Sequence, residues 1–187
     1  FGDHARFDPA RVFRMARSKA YLFGGVEIRW SCDAELAPEG ADIPEKAVFH
    51  FPGGLKDYLK ATMGNEFTVT REIFAGKSEK ESGHGSLEWA ITWYGGDPQV
   101  HSYCNTIPTP EGGTHDAGFR IALTKGLKSY AELTQNKRAA NISTEDVMIS
   151  GVGMLSIFIR EPEFVGQTKD RLASVEAQRI VENALSD

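Results

Sequence analysis

The sequence feature that most constrains the fold is the apolar run GMLSIFIRE, residues 153–161. A strand with one face in water alternates apolar and polar side chains, whereas a strand buried on both faces is apolar almost throughout. The run therefore predicts a central strand of a sheet. With 41% hydrophobic residues, the chain of 187 residues can build a core around that strand.

Helical periodicity marks other parts of the chain. The spacing of apolar residues predicts three longer helices, over residues 8–25, 114–133 and 170–185. Asp8 is expected to cap the first helix with Pro9 as its first residue, and Thr114 is expected to cap the second. A Ser-x-x-Asp signature that starts at Ser143 predicts a short additional helix.

Strand-like segments fill the intervals between these helices. They are VEIRW, AVFHF, EFTVTREIFAG, SLEWAITWYG and QVHSYCNTI. The last two are separated by Gly-Gly-Asp-Pro, residues 95–98, whose turn chemistry predicts a hairpin. Strands and helices in alternation predict an α/β or α+β domain.

Charge and composition exclude several classes of protein. The net charge of −5 argues against a surface that grips nucleic acid as a whole, because phosphate neutralisation needs clustered Lys and Arg. No apolar run approaches membrane-spanning length. Cys32 and Cys104 are the only cysteines, which fits a reducing compartment. The chain begins without Met and without a signal peptide, so we expect a segment of a longer protein.

Motifs of self-sufficient enzymes are missing from the sequence. It contains neither G-x-S-x-G, nor a Walker A sequence, nor G-x-G-x-x-G. His101 and Cys104, followed by His115, could suggest zinc, but a further ligand at suitable spacing is lacking, so we expect no metal in this chain. The simpler interpretation places His101 on a strand surface and Cys104 in the core.

The stretch FVGQTKDRL, residues 164–172, places polar side chains between a strand and a predicted helix. Gln167 carries both a donor and an acceptor, and Lys169 carries a compact charge that commonly binds phosphate oxygens. A turn that starts at Gly166 could deliver Lys169 to a developing negative charge, such as that of a γ-phosphate. The alternative is a turn that caps the next helix, with Lys169 in solvent.

Two motifs carry a family resemblance: EGGTHDAGFRIALT at 111–124 and EPEFVGQTKDRLAS at 161–174. Together they resemble the B subunits of bacterial type IIA topoisomerases, a family that comprises DNA gyrase and topoisomerase IV. The stretches SKAYLFGGVEI and GMLSIFIREPEFVGQTKDRL look more like topoisomerase IV than gyrase. Apart from the resemblance, His115 and Arg120 are the residues of the first motif that could act beyond packing.

The resemblance implies a fold. Residues 1–32 would be the C-terminal end of an ATPase domain of the gyrase, heat-shock chaperone, histidine kinase and MutL (GHKL) superfamily. Residues 33–187 would be the transducer domain. The expected fold class is α+β, an α/β two-layer arrangement. The transducer is expected to have a ribosomal-protein-like domain 2 fold. Its β-α-β crossover is expected to be left-handed, whereas such crossovers are usually right-handed.

The resemblance also implies site residues. Gln167, Thr168 and Lys169 match the family's QTK loop, which would bind ATP. Lys169 would be the catalytic residue at the γ-phosphate, and Gln167 would help to order it. Five basic residues are candidates for lining a DNA cavity, although they could equally form a solvated face: Arg120, Lys125, Lys128, Lys137 and Arg138.

By the same resemblance, the full-length protein would couple ATP binding and hydrolysis to DNA strand passage, decatenation and relaxation in the cytoplasm. The expected cofactors are ATP and Mg²⁺, with the metal bound outside this chain, and the chain alone should be inactive. The expected partners are DNA, the A-type subunit of topoisomerase IV (ParC) and a second copy of the B-type subunit in an A2B2 complex. The alternatives are a gyrase B transducer and a non-enzymatic nucleic-acid-binding or interaction module of the same fold.

Overall fold

The computed structural model describes residues 7–36, 43–81, 84–139 and 141–186. Its α-helices are α1 (Pro9–Leu22), α2 (Gly54–Met63), α3 (Thr114–Leu133), α4 (Thr144–Met148) and α5 (Val175–Ser186). Its strands are β1 (Glu27–Ser31), β2 (Lys46–His50), β3 (Phe74–Ser78), β4 (Ser86–Trp93), β5 (Gln99–Cys104), β6 (Ile107–Pro108), β7 (Gly151–Phe158), β8 (Phe164–Val165) and β9 (Arg171–Leu172). The chain divides into two units, Phe1–Tyr58 and Leu59–Asp187, with the boundary inside α2.

The first unit contains α1 and the antiparallel pair of β1 and β2. Asp8 begins α1 because its side chain accepts hydrogen bonds from two backbone N–H groups of the first turn, which Pro9 starts. The predicted start of this helix is therefore confirmed. Near the end of α1, the buried Tyr21 stacks on Phe51 and Tyr58, with ring centroids 3.6 and 4.3 Å apart.

The second unit is built on a five-stranded mixed sheet with the order β3-β4-β7-β5-β6. β7 lies at the centre of this sheet, and every residue from Gly151 to Ile157 is buried. A strand with neighbours on both edges and cover on both faces offers no exposed position, so it tolerates apolar residues throughout. The prediction of a central strand from the run 153–161 is confirmed.

The pairing of β4 and β5 differs from the prediction. β7 lies between them, antiparallel to β4 and parallel to β5, so the turn at 95–98 does not close a hairpin. The apolar side chains of β7 favour the middle of the sheet, so both earlier strands pair with it rather than with each other. β5 and β7 are joined through α3 as a β-α-β unit. The hand of this crossover stays a prediction.

The helices α3 and α5 pack closely in the same unit. A Cβ atom built on Gly118 would lie 2.7 Å from the carbonyl oxygen of Gln178, so the approach of the two backbones requires glycine. Phe119, on the same helix, is fully buried in the core cluster that includes residues of β4, β5 and β7. Full burial of such a side chain contributes about 2–3 kcal/mol. The predicted α+β, two-layer class is confirmed.

The start of α5 was predicted wrongly. The helix begins at Val175 and not at Asp170. Leu172 belongs instead to β9, where its backbone pairs with Phe164. Amphipathic spacing does not show that a short strand precedes the helix, because a strand of two residues is too short to leave a periodic pattern of its own.

Only part of one predicted strand segment is a regular strand. In EFTVTREIFAG, the regular strand β3 begins only at Phe74, and an isolated bridge joins Thr68 to Tyr94.

The predicted domain boundary between residues 32 and 33 lies inside the first unit, where β1 pairs with β2 across it, and the domain assignment stays a prediction. Within the four described ranges, no helix combines the length and the hydropathy needed to cross a membrane.

Candidate functional site

Residues 164–172 form a hairpin, here called the QTK hairpin, that is a sheet of its own. β8 and β9 pair antiparallel, with Phe164 opposite Leu172. The connection between them carries Gln167, Thr168 and Lys169, and all three are exposed. The three predicted ATP-binding residues therefore lie together at the exposed tip of a separate hairpin.

Two residues hold the tip in a left-handed backbone conformation. Gly166 has φ 72° and Lys169 has φ 61°. Glycine adopts this conformation readily, whereas the Cβ of lysine makes it unfavourable by about 1–2 kcal/mol. Lys169 Nζ lies 5.7 Å from the centroid of the Phe164 ring, within the range of a cation–π interaction. Because Phe164 packs against the hydrophobic core, it connects the tip to the body of the unit.

The QTK hairpin is docked on the glycine turn, which we define as Glu111–Gly113. The backbone N–H of Leu172 donates to the carbonyl of Gly112 at 3.0 Å, and the N–H of Glu111 donates to the carbonyl of Asp170 at 2.9 Å. Gly113, with φ 131°, also forms a bridge with Leu172. The two motifs that the sequence singled out separately are thus in direct contact through their backbones.

Thr114 connects the start of α3 to the segment before α5. The N-cap of α3 is Gly113, without a side-chain cap, so the prediction that Thr114 caps this helix is wrong. Its hydroxyl donates instead to the carbonyl of Ser174 at 2.7 Å, while the hydroxyl of Ser174 accepts from the N–H of Glu163 at 2.8 Å. Sequence patterns did not reveal Ser174 because its partners are not its neighbours along the chain.

His115, one of the two residues of the first motif that could act beyond packing, is fully buried. Its Nε2 lies 3.2 Å from the hydroxyl oxygen of Thr109. Burial lowers the pKa of His115 to about 4, although the charge of Asp116 acts in the opposite direction. The ring is therefore neutral near pH 7, and it is packed inside the protein rather than presented to a ligand.

Two of the three candidate zinc ligands, Cys104 and His115, are buried, and His101 is partly buried. Burial raises the pKa of the Cys104 thiol to about 12, so it remains protonated near neutral pH, and burial lowers the pKa of His101. Over the described part of the chain, His, Cys, Asp and Glu side chains form no group of three that could hold a metal ion. Cys104 belongs to the core cluster, as its simpler interpretation proposed.

The five basic candidates for a DNA cavity divide into two sets. Arg120 is paired with Asp116 at 2.8 Å, and Lys125 is paired with Glu182 at 2.6 Å. These carboxylates offset the positive charge that a phosphate would meet. The second set follows toward the end of α3 and beyond it: Lys128, Lys137 and Arg138. Their role at DNA stays a prediction.

The buried His115 predicts a loss of stability in acid. Its pKa is about 4 in the folded state and 6.5 as an ordinary value, so the unfolded state binds more protons between these pH values. The stabilising contribution is therefore complete above about pH 6.5 and is lost as the pH falls toward 4. We expect a decrease of about 2 kcal/mol in the free energy of unfolding between pH 7 and pH 5 from this residue.

Denaturant unfolding at several pH values of the wild type and of His115→Gln checks this expectation. The pKa of His101 is also lowered by burial, so it contributes to the slope in the same direction in both proteins. The variant should therefore have a flatter pH dependence than the wild type. Equal slopes in the two proteins would show that His115 is not a neutral buried ring.

Comparison of this chain with known protein families identifies the class of protein to which its fold and docked hairpin belong. Residues 54–187 match the family model described as DNA gyrase B. Because this match covers well over half of the 187 residues, the chain belongs to the DNA gyrase B family.

Within that family, the chain is similar over its whole length to the B-type subunits of DNA topoisomerase 4. It is 60% identical over 187 residues to the protein of that name from Bartonella bacilliformis. It is 51% identical over 192 aligned positions to the one from Caulobacter vibrioides. In both cases all of this chain is covered, but only 27% of the relative. The predicted resemblance to the topoisomerase IV branch is confirmed, and the chain spans about a quarter of the length of these relatives.

Solved structures agree with this placement. The ATP-binding domain of Francisella tularensis topoisomerase IV, in complex with a small-molecule inhibitor, matches with a TM-score of 0.77 and 25% identity. The match covers 99% of this chain and 48% of that chain. The 43K ATPase domain of Thermus thermophilus gyrase B matches with a TM-score of 0.74 and 24% identity. This match covers 98% of this chain and 49% of that chain, and it supports the fold.

Proposed function

We propose that this chain is the transducer region, with the end of the ATPase domain, of the B-type subunit of a topoisomerase IV (ParE). In the full-length protein it would couple ATP binding and hydrolysis to DNA strand passage, decatenation and relaxation. The full-length protein would be an ATP-hydrolysing isomerase that acts in the cytoplasm, and the chain alone is expected to be inactive. The names of the relatives and the match of residues 54–187 support this proposal. The names of the relatives support it over a gyrase B assignment.

The observation that carries the proposal is the backbone of Lys169. A lysine with φ 61° occupies a position at the exposed tip where glycine or asparagine would be less strained. Strained residues are concentrated at functional sites, where the surrounding structure holds them in place. Here the docking of the QTK hairpin on the glycine turn supplies that support. Four other non-glycine residues of the described chain also have a positive φ, and Lys169 is the one at the tip of the QTK hairpin.

The chemistry of the tip suits a terminal phosphate. Lys169 offers a compact positive charge, Gln167 offers an amide donor and Thr168 offers a hydroxyl. ATP supplies a phosphoanhydride, and as its terminal P–O bond breaks, negative charge develops on the departing oxygen and is spread over the oxygens of the transferred group, where a positive charge is stabilising. Contact with the γ-phosphate would favour the arrangement of the protein in which the tip is engaged, and loss of phosphate would release it. Lys169 would thus be both a catalytic residue and a sensor of the nucleotide state.

The remaining cofactor and partners belong to the same proposal. Mg²⁺ would be bound by parts of the full-length protein outside this chain, as the family resemblance implies. The partners would be DNA, the A-type subunit of topoisomerase IV (ParC) and a second copy of the B-type subunit in an A2B2 complex. For contact with DNA, the set of Lys128, Lys137 and Arg138 is a better candidate than Arg120 and Lys125, whose charges are already paired.

Hydrogen exchange of the full-length protein tests the sensor directly. We expect a non-hydrolysable ATP analogue to slow amide exchange of residues 166–170 about tenfold, because the engaged tip opens less often, whereas ADP should have little effect. The turn at 95–98 serves as a control segment that should exchange equally with both nucleotides. Equal exchange of 166–170 with the analogue and with ADP would contradict the proposal and would favour a nucleotide-independent interaction module.

A further inference from the structure

A cluster of buried polar side chains lies beneath the glycine turn. Ser102, Thr109 and His115 are 4%, 1% and 0% exposed. The hydroxyl oxygens of Ser102 and Thr109 are 2.7 Å apart, and that of Thr109 is 3.2 Å from Nε2 of His115. We call these three residues the polar base. Polar groups in a protein interior are unfavourable unless they are hydrogen-bonded, so their joint burial requires an explanation.

One arrangement of protons satisfies the contacts of the polar base. The hydroxyl of Thr109 donates to the carbonyl oxygen of Ser102 at 2.9 Å, and the hydroxyl of Ser102 can donate to the hydroxyl oxygen or, at 3.1 Å, to the carbonyl oxygen of Thr109. In this arrangement Nε2 of the neutral His115 ring donates to the hydroxyl oxygen of Thr109. Its Nδ1 is buried and has no hydrogen-bond partner among the described residues, so a second proton would be unfavourable there.

A short series of hydrogen bonds connects the polar base to the QTK hairpin. The carbonyl of Thr109 accepts from the N–H of Gly112 at 2.8 Å, and the carbonyl of Gly112 accepts from the N–H of Leu172 at 3.0 Å. Ser102 belongs to β5, which pairs with the central strand. His115 belongs to the first turn of α3, which follows the glycine turn directly. The polar base therefore joins the sheet, the glycine turn and the start of α3 at one place.

We propose that Ser102, Thr109 and His115 are positioning residues for Lys169. They hold the glycine turn in the one geometry that accepts Leu172, and thereby fix the tip on which Lys169 is carried. This proposal rests on the proposed function, because it assigns the three residues to the reaction in which Lys169 takes part. An apolar cluster could fill the same space, but it would not impose directional contacts on the turn, whereas a hydrogen-bonded network does.

A matched pair of substitutions separates positioning from general stability. Thr109→Val removes the central hydroxyl of the polar base. Thr92→Val is the control: Thr92 is also fully buried, and its hydroxyl also makes a side-chain hydrogen bond, to Thr70 at 2.9 Å. Thr92 lies in β4, outside the QTK hairpin and the glycine turn. Both variants keep the shape of the side chain, and both should lower the Tm of the full-length protein by a similar few degrees.

The two variants should differ in what happens at the hairpin. In Thr109→Val, we expect amide exchange of residues 164–174 to become about tenfold faster and ATP turnover to fall about tenfold, with little change in KM. Thr92→Val should change neither. Thr109→Ser, which retains the hydroxyl, should restore both properties. If Thr109→Val does not fold, Ser102→Ala removes a smaller part of the polar base and should give the same effects in weaker form.

The outcomes distinguish this inference from the proposed function. If Thr109→Val matches Thr92→Val in hairpin exchange and in turnover, the positioning role is overturned. Faster exchange with unchanged turnover overturns it as well, provided that Lys169→Ala lowers turnover. If Lys169→Ala itself leaves turnover unchanged, the proposed function fails, and faster hairpin exchange in Thr109→Val would then show a support for the hairpin without a role in catalysis.

Discussion

Replacement of Lys169 by alanine in the full-length protein is expected to lower ATP turnover about 100- to 1,000-fold. The reason is that a charge aimed at a developing negative charge in a transition state contributes more there than in the ground state. The affinity for ATP should therefore decrease much less than the turnover rate. Steady-state ATPase kinetics, together with equilibrium binding of a non-hydrolysable analogue, measure the two quantities separately.

Two further variants make this prediction sharper. Lys80→Ala removes an exposed lysine in the connection between β3 and β4, and it should leave turnover unchanged. Lys169→Gly should lose turnover as Lys169→Ala does, while its unfolding free energy should be higher than that of the alanine variant, because glycine relieves the positive φ. Turnover at the wild-type level in both Lys169 variants would show that the QTK hairpin is a structural turn without a role in ATP turnover. Only the assignment of the fold would then stand.

Gly113→Ala should have the largest effect on structure. A Cβ atom at this position would lie 2.2 Å from the carbonyl oxygen and 2.6 Å from the backbone nitrogen of Leu172, and the φ of 131° is unfavourable for alanine. Because the obstructing atoms are backbone, the QTK hairpin must leave the glycine turn or the backbone must distort. Overpacking and backbone strain together predict a loss of roughly 3–5 kcal/mol in the free energy of unfolding. Denaturant unfolding measures this loss.

Gly126→Ala is the matched control for that substitution. Gly126 lies within α3, and a Cβ atom there would meet nothing within 4 Å. Since alanine favours helix, this variant should be more stable than the wild type by about 0.5–1 kcal/mol. Gly113→Ala should also reduce ATP turnover strongly, whereas Gly126→Ala should not. A stable Gly113→Ala protein with normal turnover would show that docking of the hairpin on the glycine turn is dispensable.

Local signals in the sequence determined much of the secondary structure and the location of the candidate site. Asp8 and Pro9 start α1, and Ser143 and Asp146 form the capping box of α4, because each signal acts within one helical turn. The apolar run of β7 predicted its central place because burial on both faces leaves a continuous trace in composition. The resemblance carried by two motifs pointed to Lys169.

Only the tertiary structure decided how these parts meet. It placed β7 between β4 and β5, made a strand of Leu172, docked that strand on Gly113 and gave Thr114 a partner in Ser174. Folding likewise paired Lys125 with Glu182, whereas Arg120 and Asp116 form a local i,i+4 pair within α3. The contacts between distant parts of the chain join residues about fifty to seventy positions apart. Periodicity and capping describe interactions within a few residues, so they specify each element but carry no information about which distant backbone it will contact.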